Sequence, residues 1–236
     1  MSAPQTAVRQ LANDAQQAFA DGILLILADA VDDLERVRIA TANRIRALVE
    51  DKGLRGSREH DQLVALLAQL EGLEHAQALE LRRAMRAHPL GPFVRRTIGM
   101  GEKQTARLLA AIGDPYVKPA VIDADTGDVI EPERPRRGPA ELWAYCGLHV
   151  IEGRRPRRMR GERANWSNTA KMRALLCAES CVKAMRSPYR AVYDAARANW
   201  AERDTTDLHK HRHALAVVAK AILRDLYVEA KAVASC

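Results

Sequence analysis

The stretch Ile98-Gly-Met-Gly-Glu-Lys-Gln-Thr-Ala-Arg-Leu-Leu-Ala-Ala-Ile-Gly-Asp-Pro115 sets two glycines directly before a helical pattern of apolar residues. Glycine permits a sharp turn and a close approach of the backbone to a ligand. The first amides of the following helix lack partners within the helix and favour an anion. The stretch therefore predicts a helix-hairpin-helix element that contacts the phosphate backbone of a nucleic acid, the alternative being a tight loop between two core helices. The residues assigned to the contact are Gly99, Gly101, Lys103 and Arg107.

Two long amphipathic segments precede this element. They predict helices from about residue 5 to 51 and from about 58 to 88, because apolar residues recur at spacings of three, four and seven. The glycines at 53 and 56, followed by Ser57, predict the turn between them. At 1.5 Å per residue the first helix would span roughly 70 Å, which is more than a globular domain needs. We therefore expect an antiparallel coiled-coil arm, the alternative being a hairpin that packs on its own C-terminal domain.

The leucine stripes of this arm exceed what the hairpin itself can bury. We therefore expect the arm to contact another protein or a second copy of the chain. The residues assigned to that contact are Leu27, Leu34, Leu63, Leu66, Leu70 and Leu73. Pro89 and Pro92 end the second helix. The sequence is thus divided into an arm, residues 1–90, and a helical domain with the helix-hairpin-helix, residues 91–236.

The densest charge in the chain lies between residues 154 and 163, where Pro156 and Gly161 interrupt a run of arginines. Such a segment is a poor candidate for burial, and guanidinium groups pair bidentately with phosphate. We interpret it as a phosphate clamp, although a solvated surface is the usual reason for a charge run. The residues assigned to the clamp are Arg154, Arg155, Arg157, Arg158, Arg160 and Arg163, with Ser167 and Asn168 adding hydrogen bonds to phosphate.

The composition favours a mainly α protein with a phosphate-bearing partner. The 236 residues include 37 Lys and Arg against 30 Asp and Glu, a net charge of +7, and the surplus falls in the C-terminal half. Aromatic residues make up 4% of the chain, which argues against a platform that stacks the bases of a single strand. A small β-hairpin is predicted from residue 121 to 130, turning at 125–127.

The cysteines and the apolar runs indicate where the protein acts. Cys146, Cys177, Cys181 and Cys236 form no Cys-x-x-Cys pair and are expected to be reduced, mostly buried thiols of a cytosolic protein. The longest apolar run, residues 23–28, is too short to cross a bilayer. The first residues lack the basic region of a signal peptide. We therefore expect a cytoplasmic protein that does not enter the membrane.

Three histidines raise the question of a metal. His209 and His213 would share one face of a helix, as zinc ligands do, while His211 would point elsewhere. No third ligand follows at a credible spacing, and Lys210 and Arg212 lie between the histidines. We therefore expect a polar surface that faces a partner, and neither a metal nor another cofactor.

Five motifs follow one another in a distinctive order. They are the 98–115 stretch, Ala140-Glu-Leu-Trp-Ala-Tyr-Cys-Gly-Leu148, Asn165-Trp-Ser-Asn168, Ser187-Pro-Tyr-Arg-Ala-Val-Tyr193 and His209-Lys-His-Arg-His-Ala-Leu-Ala-Val-Val-Ala-Lys-Ala-Ile-Leu223. Their order and spacing resemble the C-terminal domain of insertion-sequence 110 family transposases, in which a coiled-coil arm precedes the same domain. The resemblance covers about residues 93–230. It implies a DNA-associated protein of a phage or other mobile element, acting at the nucleoid of a bacterial cell.

Two departures from the family bear on catalysis. Family members begin with a RuvC-like nuclease domain that carries four acidic residues, whereas this sequence starts with the arm. They also carry a nucleophilic serine where this sequence has Glu152, and Ser167 has no adjacent base to activate it. The resemblance therefore implies a non-catalytic accessory protein that regulates recombination, such as a recombination directionality factor for a serine integrase. The alternatives are a truncated or divergent transposase with strand-transfer activity and a helical scaffold.

Overall fold

The computed structural model describes residues 22–123, 126–151, 153, 155–157, 160–161 and 164–235. Eight helices make up most of this part of the chain, which confirms the mainly α class. They are α1 (Ile23–Glu50), α2 (Arg58–Ala87), α3 (Gly91–Arg96), α4 (Glu102–Ile112), α5 (Pro139–Tyr145), α6 (Asn168–Lys183), α7 (Pro188–Ala198) and α8 (Asp207–Ala234). None of these helices combines the length and the apolar character needed to cross a lipid bilayer.

Helices α1 and α2 lie side by side and form the arm. α1 begins at Ile23, since Gly22 before it takes a left-handed conformation with φ of 61°. The prediction of one continuous helix from residue 5 is therefore wrong at Gly22, and residues 5–21 lie outside the described residues. At 1.5 Å per residue α1 spans about 42 Å. α2 matches its predicted bounds, and the Ser57 hydroxyl accepts a hydrogen bond from the His60 amide at its start. The supercoiling expected of the pair stays a prediction.

The base of the arm belongs to the core of the C-terminal helices. Leu24, Ala28 and Val31 of α1 and Leu81 and Met85 of α2 are buried in the same apolar cluster as α4, α6 and α8. We call this part of the arm its root. A boundary at residue 90 therefore does not separate two cores, and the arm packs on its own C-terminal domain at the root.

The leucines assigned to a partner differ in their exposure. Leu70 is buried and so is unavailable to another chain, whereas Leu27 is half-buried and packs against the core at the root. Leu66 and Leu73 are 42% and 54% exposed and keep the role predicted for them. The other two, Leu34 and Leu63, are half-buried.

Helix α6 runs through the middle of the C-terminal core, packed against α4, α7 and α8. Most of its buried residues are small, namely Ala170, Ala174, Cys177, Ala178 and Cys181, and Arg173 and Val182 are buried beside them. Small side chains let neighbouring helices approach closely, whereas the larger Met172 lies outside this face and is 47% exposed. Cys177 and Cys181 of this face and Cys146 at the end of α5 are buried free thiols, as expected, and burial raises the pKa of Cys146 and Cys177 to about 12. Cys236 lies outside the described residues.

Four short strands lie between α4 and α5. They are β1 (Val117–Lys118), β2 (Val121–Ile122), β3 (Val129–Glu131) and β4 (Arg134–Pro135). β2 pairs antiparallel with β3 and β1 with β4, so the predicted hairpin is present and longer than expected. Gly127, with φ of 77°, lies in its turn, and residues 124–125 of that turn lie outside the described residues.

Candidate nucleic-acid interface

Gly99 is a packing residue. Its φ is +93°, and a Cβ at this position would lie 2.8 Å from Cα of Cys181 and 3.1 Å from Cβ of Ala184. The Ser180 hydroxyl donates a hydrogen bond to its carbonyl oxygen at 2.9 Å. The glycine lets the turn between α3 and α4 lie directly against α6. It also lines an open cleft together with Gly101, and its contact with a ligand stays a prediction.

Gly101, by contrast, is exposed. It precedes α4 with an ordinary extended backbone, and a Cβ there would meet nothing within 4 Å. An open cleft of about 590 Å³ adjoins it and includes the first residues of α4. Arg82 of α2 and Arg95 beside the turn also line this cleft, together with Lys103. Sequence reasoning missed the two arginines because α2 and the turn meet only in the folded chain.

Carboxylates offset part of the positive charge at this turn. Lys103 lies 3.3 Å from Glu74 of α2, and Glu102 lies 2.7 Å from Arg86. The Arg86 hydrogen bond holds the pKa of the Glu102 carboxyl below its usual value, and the charges of Arg82 and Arg95 act in the same direction. The turn is therefore a mixed surface with more cations than anions.

Arg107 points away from the turn and into the arm. Its side chain is 5% exposed and contacts Asp32 and Glu35 of α1, the latter at 2.7 Å. Arg173 of α6 pairs with the same Asp32. These four side chains, the root ion cluster, join α1, α4 and α6. Arg107 is thus unavailable to a phosphate, and its assignment to the nucleic-acid contact is wrong.

One described residue of the basic segment, Arg155, contacts α8. Arg155 is half-buried, and its guanidinium lies 3.0 Å from Nδ1 of His213 and donates to the His213 carbonyl at 3.3 Å. Arg157 and Arg160 are exposed. The other assigned arginines, Arg154, Arg158 and Arg163, lie outside the described residues, so their roles stay predictions.

Ser167 and Asn168 form the start of α6. The Ser167 hydroxyl accepts the Ala170 amide at 3.1 Å and so caps the helix. Oδ1 of Asn168 accepts Nε1 of Trp166 at 3.1 Å. A Cβ at Gly147, whose φ is +60°, would lie 2.5 Å from the Trp166 ring. Both predicted phosphate ligands thus have structural partners, and the interaction of Ser167 or Asn168 with phosphate stays a prediction.

A concave surface lies between the basic segment and the start of α8. It has a volume of about 690 Å³, and we call it the arginine–tryptophan cleft. Its polar and aromatic lining consists of Arg155, Arg157, Arg212, Trp200, His209 and His213. Val150 and Gly153 complete it.

Trp200, just after α7, forms the aromatic wall of this cleft. Its ring stacks on His213 with centroids 3.7 Å apart and planes 13° apart, and it is nearly parallel to His209 at 5.8 Å. The Arg203 guanidinium lies 4.6 Å from the ring centroid. His211 points away and contacts the Tyr193 hydroxyl, as its spacing predicted. Sequence reasoning missed Trp200 because no local pattern links it to the basic segment.

The cations around the cleft are close to one another. Burial, and then the charge of Arg155, lower the pKa of Lys171 and of Lys220. Burial lowers the pKa of Arg155 as well. The pKa of His213 is lowered by burial and then by four positive neighbours, Arg155 first among them. The neighbouring charges that lower the pKa of Lys171, Lys220 and His213 are positive, so a bound anion would favour the charged forms of these three groups.

The two histidines of the cleft are candidates for metal binding, and serine hydroxyls are candidates for a nucleophile. His209 and His213 are occupied in stacking on Trp200, and the described residues contain no group of three or more His, Cys, Asp or Glu side chains that could hold a metal ion. Ser187 caps α7. Glu152, at the position of the family's serine, lies outside the described residues.

Comparison of the chain with protein-family models, with curated proteins and with solved structures gives no match.

Proposed function

We propose that the protein is a nucleic-acid-associated accessory protein that regulates DNA recombination for a phage or other mobile element. The observation that carries the nucleic-acid part is the arginine–tryptophan cleft. There the guanidinium groups of Arg155, Arg157 and Arg212 lie on one concave surface, and the charge of Arg155 adds to the lowering of the pKa of Lys171 and Lys220 close by. Clustering of like charge in a concave surface is costly without a polyanionic ligand, and phosphate supplies that charge.

A solvated basic loop is the competing interpretation of the same arginines. In that case the guanidinium groups would project into water and pair with carboxylates where these are near. Arg155 instead lies half-buried against His213, and Arg157 and Arg212 face the same concave surface. Other arginines of the chain, such as Arg190 with Asp194, do follow the pattern of local pairing. The contrast favours a ligand site over a solubilising surface.

The turn at Gly101 would provide a second contact. It lies at the C-terminal end of α6, next to Cys181, whereas the cleft lies near Lys171 at the other end. Ten residues of helix separate these two positions, or about 15 Å at 1.5 Å per residue. Phosphates along one DNA strand repeat about every 3.4 Å along the helix axis, so contacts at both ends of α6 are compatible with one continuous strand of several nucleotides.

The recombination part of the proposal rests on the resemblance to insertion-sequence 110 family transposases. On this proposal the arm contacts a recombinase, through the exposed Leu66 and Leu73, while the C-terminal helices contact nucleic acid. A recombination directionality factor for a serine integrase is one form of such a protein. A divergent transposase is the alternative, and incubation with supercoiled plasmid and Mg²⁺ separates the two. The accessory protein leaves the plasmid intact, whereas nicking that survives repurification favours the transposase.

A matched pair of variants tests nucleic-acid binding. Arg157→Glu with Arg212→Glu reverses two charges in the cleft, and Arg36→Glu with Arg83→Glu makes the same change in net charge on the exposed surface of the arm. Binding of a fluorescent 30-base-pair duplex is measured by anisotropy at low salt. We expect the first pair to abolish binding and the second to leave most of it. Equal losses would mean that net charge alone attracts the duplex, and absence of binding by the unmodified protein would refute the proposal.

A further inference from the structure

The arginine–tryptophan cleft combines two kinds of wall. Guanidinium groups of Arg155, Arg157 and Arg212 lie on the same concave surface as the ring of Trp200. The phosphates of duplex DNA lie on the outside of a cylinder, and its base faces are covered by stacking on each other. A duplex therefore exposes no base face that could contact an aromatic ring inside a cleft. A nucleotide outside a duplex presents both a phosphate and a free base face.

The size of the cleft fits this kind of ligand. Its volume of about 690 Å³ lies within the range of about 300–1,000 Å³ that is typical of sites for small molecules and cofactors. A single nucleotide with its flanking phosphates falls in the same range. The cleft is open to one side, so the strand could enter and leave it while one unit lies inside.

The stack of rings in the cleft is already ordered. Trp200 lies 3.7 Å from His213, and His213 is fixed in turn by Arg155 at 3.0 Å. The aromatic wall and the Arg155 guanidinium are thereby held in a fixed relation to one another. A site preorganised in this way loses little conformational freedom when its ligand binds.

We propose that the arginine–tryptophan cleft binds one unpaired nucleotide of a nucleic-acid strand, with the phosphate against Arg157 and Arg212 and the base beside Trp200. This inference rests on the proposed nucleic-acid binding and specifies the form of the ligand. It differs from a base-stacking platform, which the low aromatic content argues against, because a single slot needs one indole. DNA and RNA share the chemistry that the cleft recognises.

The affinities of paired and unpaired probes test the inference. Anisotropy is measured with a blunt 12-base-pair duplex, the same duplex carrying a four-nucleotide overhang, and 12-nucleotide DNA and RNA single strands, all at one salt concentration. For the number of phosphates that each probe carries, we expect the overhang and the single strands to bind more tightly than the blunt duplex. The difference in dissociation constant should be on the order of 10-fold. Trp200→Leu removes that preference but leaves binding of the blunt duplex, and Trp166→Leu, which changes another half-buried tryptophan, leaves the preference in place.

A second measurement does not depend on how the variants fold. Single strands that contain 5-iodouracil are irradiated with the unmodified protein, and the adducts are mapped by mass spectrometry. We expect the crosslink on the tryptic peptide 198–203, which contains Trp200. Equal affinity for blunt and unpaired probes, or crosslinks that avoid this peptide, would overturn the unpaired-nucleotide site while leaving duplex binding intact. A failure of every probe to bind would instead refute the proposed function. Comparison of the DNA and RNA strands distinguishes the two sources of the ligand.

Discussion

The guanidinium of Arg107, on α4, lies 2.7 Å from the carboxylate of Glu35, on α1. The same guanidinium contacts Asp32, which also pairs with Arg173 of α6. Arg107 and Arg173 are nearly buried, whereas the two carboxylates are 27% and 32% exposed. The root ion cluster thus fixes the arm to the C-terminal helices through charges that are partly shielded from water.

Replacement of Arg107 by Ala should destabilise the protein, since it leaves two carboxylates close together without their nearest cation. Loss of one partner of a fully buried pair costs roughly 3–5 kcal/mol, and the partial exposure of Asp32 and Glu35 reduces this to about 2 kcal/mol. Chemical denaturation followed by circular dichroism measures the change in the free energy of unfolding. Arg36→Ala is the control, because its pair with Asp33 is exposed and contributes at most about 0.5 kcal/mol. Equal effects of the two variants would contradict a role for the cluster.

The two glycines of the turn should respond differently to alanine. Gly99→Ala combines a φ of +93° with a Cβ 2.8 Å from Cys181 and should lower the free energy of unfolding by about 2–4 kcal/mol. Gly101→Ala adds a methyl group in open space and should leave stability within about 1 kcal/mol. If α4 contacts phosphate through its first amides, Gly101→Ala should nevertheless weaken duplex binding. Unchanged binding by this stable variant would show that the turn does not contact the duplex.

The salt dependence of duplex binding should report the number of phosphates contacted. Arg157→Ala with Arg212→Ala removes two exposed guanidinium groups from the cleft. If each neutralises one phosphate, the slope of log affinity against log salt should become less steep by about 1.8, at roughly 0.9 per contact. The slope is obtained from anisotropy titrations over a series of NaCl concentrations, with Arg83→Ala on the arm as control. An unchanged slope would show that neither arginine contacts a phosphate of the duplex.

The exposed leucines of the arm should mediate contact with a protein. Leu66→Glu with Leu73→Glu replaces two apolar side chains that are 42% and 54% exposed, so the thermal midpoint should change little while self-association or recombinase binding is lost. Gln62→Glu with Gln69→Glu adds the same charge to exposed positions of the same helix and should keep the interaction. Sedimentation velocity and pull-down with a candidate integrase provide the measurements. Undiminished association of the leucine variant would show that the face with Leu66 and Leu73 does not contact the protein partner.

Stability should fall as the solution is acidified through the range in which His88 titrates. Burial lowers the pKa of His88 from 6.5 to about 4, and its Nδ1 accepts the Leu90 amide. The folded state binds the proton less readily than the unfolded chain. The contribution of neutral His88 to the free energy of unfolding is therefore complete above about pH 6.5 and is lost towards pH 4, by up to roughly 3 kcal/mol. His88→Asn should flatten this part of the pH profile, and His75→Asn, on the exposed surface of α2, should not. Identical profiles for the two variants would contradict the assignment.

The helices could be predicted from the sequence because their limits are set by local signals. Ser57 caps the helix that was expected to follow it, and Ser167, Ser187 and Thr206 cap α6, α7 and α8 in the same way. The exception is the start of the arm, where the apolar spacing continues through Gly22 although the backbone there is left-handed. A single glycine is tolerated in a helical pattern, so the sequence alone does not show whether the helix breaks.

The candidate site was harder to predict, because its residues are brought together only by tertiary packing. The basic segment was recognised from its composition, but Trp200 and His213 come from two other segments and meet Arg155 across more than forty residues. Arg107 shows the opposite error. Its place on the helix after the glycines favoured a phosphate contact, whereas the carboxylates that it contacts are on α1, more than seventy residues earlier.

The attachment of the arm at its root has a mechanical consequence. From Val31, which is buried in the core, to Glu50 at the end of α1 there are nineteen residues, or about 28 Å of helix. A rotation of 10° at the root would therefore move the tip by about 5 Å, in the manner of a lever. On the proposed function, a recombinase bound at the tip would act through this length of helix on the ion pairs at the root, which include Asp32 and Arg107.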